Sequence, residues 1–130
     1  MKSLLTTIMT LVATAGIWSI SNANSGYHAV NSCILIDGKT IDDVRIVNSK
    51  WVEFVNENVD GRDITSYIIT SVVGDMTPGK FQFVDSFPTL ESWAAYLKVI
   101  ESIAEGIAID AEVRETADCT ESQLYKAEES

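Results

Sequence analysis

His28 is the one histidine of the sequence and the one side chain whose unperturbed pKa lies near neutrality, so acid–base chemistry at physiological pH would fall to it first. Beside Tyr67 or Asn48 it could serve as a general base. Trp51, like Trp93, offers the flat apolar surface that lines pockets for planar ligands, and Asn48 and Tyr67 are polar groups that could point into such a pocket. His28, Asn48, Trp51 and Tyr67 are therefore the catalytic candidates if the protein is an enzyme, and Trp51, Tyr67 and Ile69 are the candidate contacts to an apolar ligand. Each also has a plainer reading, which the pattern favours. A lone histidine near a chain start is an exposed side chain, and both tryptophans fall in helical phase with a core. Asn48 reads as a solvated helix residue and Tyr67 as part of a subunit seam.

Other chemistries find no support in the residue pattern. Asp60-Gly61-Arg62-Asp63 lacks the spaced oxygen ligands and closing glutamate of a calcium loop and reads as a turn. Asp42-Asp43 and Glu128-Glu129 are adjacent acids without a histidine partner and read as solvated charge. Ser86 has no GxSxG surroundings, and a nucleophilic triad cannot be built on one distant histidine. There is no glycine-rich phosphate loop. The sequence supports neither a metal nor another cofactor.

Composition bounds the setting. A chain of 130 residues that is 46% hydrophobic fits one domain with a real core. Lys2, the apolar run Leu4–Ile17 and the small residues of Ser21-Asn22-Ala23 have the three-part layout of a secretory signal peptide, with cleavage near Ala23. As a membrane span this run is marginal: Thr6, Thr7, Thr10 and Thr14 interrupt it, and the hydrocarbon layer is roughly 30 Å thick. Val30-Asn31-Ser32 ahead of Cys33 is not the small-residue motif of a lipid attachment site. The expected organisation is a leader, residues 1–23, and a single domain, residues 24–130, exported to a periplasm or beyond the cell without stable membrane association.

The formal charge is −10, and loss of the leader removes one further positive charge, Lys2. Such a surface repels phosphate backbones and anionic membranes, so nucleic acid is excluded as a partner on electrostatic grounds. The two cysteines, Cys33 and Cys119, lie near opposite ends of the mature chain. In an exported protein an even count points to a disulfide, and no neighbouring cysteine or histidine supports a redox or metal pair instead. Closing so long a loop would stabilise the fold by roughly 4–5 kcal/mol in the chain-entropy picture.

The elements that would carry these side chains can be read in order. Tyr27–Ile36 ends in a β-branched run and fits a first strand, followed by a turn at Asp37-Gly38-Lys39. Thr40 and Asp43 make a capping box for a helix with Ile41, Val44, Val47, Trp51, Val52 and Val55 on its apolar side. Ile64–Val73 alternates with both rows partly apolar, which predicts a strand covered on both faces. The run Lys80–Phe87 carries Phe81, Phe83 and Val84 between two proline-marked turns and predicts a strand returning as a hairpin. Thr89 caps a long helix with Leu90, Trp93, Ala94, Leu97 and Ile100 facing inward. Gly106 interrupts that helix, predicting a break near Ser102–Gly106 and a second segment with Ile107, Ala111 and Val113. Ser122–Glu128 reads as a last strand.

Strand, helix, strand, strand, helix, strand is the ferredoxin-like, split βαβ order, an α+β fold with a four-stranded antiparallel sheet. Its first and last strands are neighbours, which brings Cys33 and Cys119 together independently of the cysteine count. Its helices cover one face of the sheet, so Tyr67, Ile69 and Val73 would show apolar surface on the other, and a patch of some 400 Å² calls for a partner. With the aromatic strand running into Asp85-Ser86-Phe87 and the helix Leu90–Leu97, the region Tyr27–Glu128 resembles the dimeric α/β-barrel superfamily. That group includes antibiotic-biosynthesis monooxygenase-type and stress-responsive barrel domains, whose sheets pair bare face to bare face.

The resemblance implies a homodimer, and from it alone comes the reading of a cofactor-free monooxygenase acting on an aromatic or quinol substrate. The haem-degrading members carry their ligand histidine on the second helix. No histidine lies between Leu90 and Ala117 here, so haem ligation of that kind is not expected. The poverty of acid–base groups favours instead an exported homodimer that binds a small apolar ligand or is structural.

Overall fold

Two reciprocal caps start the helices that define the covered side of the molecule. The Asp43 backbone N–H donates to Thr40 Oγ1 at 3.3 Å while the Thr40 N–H donates to Asp43 Oδ2 at 2.8 Å, satisfying two of the free donors at the start of a helix. These bonds hold the Asp43 carboxyl below the usual carboxylate range. Ser92 and Thr89 repeat the arrangement, with N–H to hydroxyl distances of 3.0 and 3.2 Å. The computed structural model describes residues 26–60 and 63–130. The leader, residues 1–23, and Gly61-Arg62 of the expected turn lie outside the described residues.

The elements are β1 (Gly26–Leu35), α1 (Ile41–Asn58), β2 (Thr65–Ile69), β3 (Lys80–Phe87), α2 (Leu90–Ser102), α3 (Ala104–Thr116) and β4 (Ala117–Ala127). All strand pairs are antiparallel and the sheet order is β2-β3-β1-β4. This is the ferredoxin-like α+β topology read from the sequence, with the second helix divided in two. Cys33 and Cys119 face each other across β1 and β4 and are disulfide-bonded, closing a sequence separation of 86 residues.

Alternation along β3 sorts the sheet into two faces. Phe81, Phe83, Asp85 and Phe87 are buried toward the helices, whereas Gln82, Val84 and Ser86 lie on the face that no helix of the described residues covers. Val44, Val47, Trp51, Phe54 and Val55 of α1 pack onto the covered face, with Ile64, Ile100 and Ile109 completing the core. Trp93 is partly buried against it.

Four local expectations are corrected. β2 ends at Ile69, and Val72 and Val73 are exposed beyond it, so the expected strand Ile64–Val73 is half its predicted length. Covered on both faces it is not: it is the sheet edge, and Tyr67 is 58% and Ile69 46% exposed in the single chain. β4 begins at Ala117, ahead of Cys119, because pairing with Leu35 and Ile34 extends it N-terminally. α2 docks through Tyr96, Val99 and Ile100 and leaves Leu90 and Leu97 exposed. Both rows have helical spacing, and the aromatic contacts of Tyr96 with Trp51 and Phe87 select between them.

Ile109 and not Ile107 is the buried isoleucine of α3. The break itself falls at Ile103, in extended conformation. Gly106 is helical and serves a different end from the one its sequence position suggests. A Cβ there would lie 2.7 Å from Phe54 Cζ and 3.1 Å from Ile100 Cα, so only glycine allows α3 to approach α1 and α2 this closely.

Candidate functional site

The covered face holds a cavity because small side chains flank a charged one. Asp85 pairs with Ala29 on β1 and with Ser66 on β2, and neither neighbour fills the space above the sheet. A volume of about 790 Å³ results, walled by Asn31, Phe83 and Asp85 from the sheet, Asn48 and Trp51 from α1, and Tyr96 from α2. Asp110, Val113 and Arg114 of α3 and Ala117, Asp118 and Cys119 of β4 complete it with Ile36. The disulfide register thus also sets one wall of the site.

A short polar chain crosses the cavity floor. Ser66 Oγ donates to Asp85 Oδ1 at 2.6 Å and accepts from Asn48 Nδ2 at 3.0 Å. Asp85 is 7% exposed. Burial disfavours its charged form and lifts the carboxyl from 3.8 to about 6, against the hydrogen bond from Ser66, which favours the carboxylate. Trp51 meets Phe87 and Tyr96 edge-on, with ring centroids 6.4 and 5.2 Å apart. Burial, and then the charge of Asp85, push the Tyr96 phenol up to about 12, so it remains a neutral hydroxyl beside the acid.

The candidate residues separate between the two faces. Asn48 and Trp51 line the cavity, and Asn48 is turned onto Ser66 and not into solvent. His28, Tyr67 and Ile69 lie on the uncovered face, where His28 Nδ1 and Ser86 Oγ are 2.7 Å apart. The sheet itself stands between the two groups, and the four catalytic candidates do not converge. Asp85 and Tyr96 were not candidates from sequence. A signal for Asp85 existed, since it is the one acid in the alternating row of Phe81, Phe83 and Phe87. Among the described residues no group of three or more histidine, cysteine or acidic side chains is arranged to hold a metal ion.

No protein-family model and no curated protein matches this sequence. Solved structures do match it by shape. SnoaB, a cofactor-independent oxygenase from Streptomyces nogalater, superposes with a TM-score of 0.57 at 10% identity, over 83% of this chain and 97% of SnoaB. A nipsnap family protein of unknown function from Agrobacterium tumefaciens gives 0.58 at 10% identity, over 80% and 89% of the two chains. A NIPSNAP domain protein from Burkholderia xenovorans gives 0.56 at 12% identity, over 76% and 91%. At these identities the likeness is one of fold. The chain therefore shares with these proteins a fold, the four-stranded antiparallel sheet with helices on one face.

Proposed function

We propose that the chain works as an exported homodimer, freed of residues 1–23, that binds a small ligand with an apolar, planar body in the cavity between sheet and helices. The observation that carries this reading is the cavity of about 790 Å³ with Trp51, Tyr96 and Phe83 in its wall, a size and lining suited to a small organic molecule. Exposed Tyr67, Ile69 and Tyr125 on the helix-free face supply apolar surface for a second copy. Export is supported by the disulfide. Among the described residues no helix is long and apolar enough to cross a membrane.

Native mass spectrometry of the protein purified from its host tests the reading. The expected species is a dimer whose subunits begin near Asn24 and carry a small molecule that Trp51→Ala releases. A monomer retaining Met1, with no ligand dependent on Trp51, would overturn it.

The second reading is a cofactor-free oxygenase acting on an aromatic or quinol substrate. Asp85 favours it, since a cavity acid with a pKa of about 6 is suited to accept a substrate proton near neutrality. The fold shared with SnoaB lends it an association only. Oxygen uptake on adding a quinol, lost in Asp85→Asn, is the outcome that would put it first.

A further inference from the structure

The cavity wall carries more negative charge than a purely apolar ligand would call for. Among the described residues, Asp85, Asp110 and Asp118 line it against one cation, Arg114. Arg114 is already paired, its Nη2 lying 2.8 Å from Asp110 Oδ2. Among the described residues no salt bridge engages Asp85 or Asp118.

Asp85 is the most demanding of these groups. Among the described residues, Ser66 is its hydrogen-bond donor, on Oδ1, and the Asn48–Ser66 chain fixes the carboxyl's orientation. No described residue donates to Oδ2. Since no buried side-chain oxygen or nitrogen there lacks a partner, Oδ2 keeps some accessible surface, and the carboxyl belongs to the cavity wall. A carboxylate so far removed from water gains most from a charged donor placed against its free oxygen. The aromatic part of the wall acts in the same sense, because the faces of Trp51, Tyr96 and Phe83 attract positive charge. An anionic ligand would meet like charge in the wall, and a neutral one would fill the volume while leaving the acid unpaired.

We propose that the cavity receives a small organic cation, a protonated amine on a planar apolar body, with its ammonium at Asp85 Oδ2 and its body against Trp51, Tyr96 and Phe83. This rests on reading the cavity as a ligand site and specifies the chemical class it takes.

Three probes of nearly equal shape and different charge test it: phenethylamine, 2-phenylethanol and 3-phenylpropionate. Each is titrated into the purified protein by calorimetry, with the Trp51 indole N–H followed by NMR to locate the site. The expected result is binding of the amine at least tenfold tighter than the alcohol, no binding of the carboxylate, and loss of that preference in Asp85→Asn. The charge series on the unaltered protein stands even if the variant does not fold. Alcohol or carboxylate bound at Trp51 as tightly as the amine would overturn the cation assignment and leave the cavity reading intact. If none of the three disturbs Trp51, both fall. An amine preference that survives Asp85→Asn in a folded variant would overturn the assignment to Asp85.

Discussion

The two faces of the sheet are built from the same strands and have opposite characters. On the covered side, Phe81, Phe83 and Phe87 surround one acid, Asp85, and leave room above it. On the open side the intervening residues Gln82, Val84 and Ser86 meet His28, Thr65 and Tyr67 from the neighbouring strands. A titratable group in the first setting is starved of water and strongly perturbed. His28, in the second, is half-buried and bonded to a serine at the surface. Residue type alone singles out the histidine as the chemical group, yet environment gives that part to the aspartate.

The largest expected effect comes from the link that holds both faces in register. Replacing Cys33 and Cys119 by serine should lower stability by about 2–5 kcal/mol, read as a shift of the urea midpoint, because the closed loop is long. A change below about 1 kcal/mol would show that strand pairing alone sets the register of the cavity wall.

Asp85 comes next and separates the faces by pH. Its folded pKa, about 6, lies above the ordinary 3.8, so the folded protein holds this proton more tightly than the unfolded chain does. The stability it contributes is complete below about pH 3.8 and is lost as the pH rises through 6, a change on the order of 3 kcal/mol. Urea unfolding across that window should show this fall in the parent protein and a flatter profile in Asp85→Asn. Parallel profiles would mean that the acid is better solvated than its position implies.

Gly106→Ala should cost about 1–3 kcal/mol, since the added methyl group meets the buried Phe54 ring and the backbone of Ile100. A neutral result in thermal unfolding would show that α3 can shift away from α1. The smallest effect belongs to the open face. Tyr67→Asp should weaken the proposed dimer in sedimentation while changing the proposed amine binding in the cavity by no more than about twofold, because the sheet separates the two sites. Loss of cavity binding in that variant would erase the distinction between the faces.

Much of the fold was legible because its signals are local. The Thr40–Asp43 capping box, the Thr89 cap, the break after Ser102 and the β3 alternation each depend on a few adjacent residues. The cysteine pairing was legible because two separate lines, their number and the strand order, met at one place. The candidate site was legible only in part. Asn48 and Trp51 were found from their helix, but Tyr67 and His28 could not be assigned to a face until the register was known. An acid in a strand reads as solvated when its cross-strand neighbours are unknown.

By itself, the sequence determined the order of strands and helices, where α1 and α2 begin, and that the cysteines meet, since short-range hydrogen bonding and periodicity act within a turn or two of chain. Only the tertiary structure decided that Tyr96 and not Leu97 faces Trp51, that Gly106 exists for Phe54, and that Asp85 stands between Ala29 and Ser66 under a cavity. Those outcomes depend on side chains far apart in sequence. Burial of a charge is a property of everything packed around it.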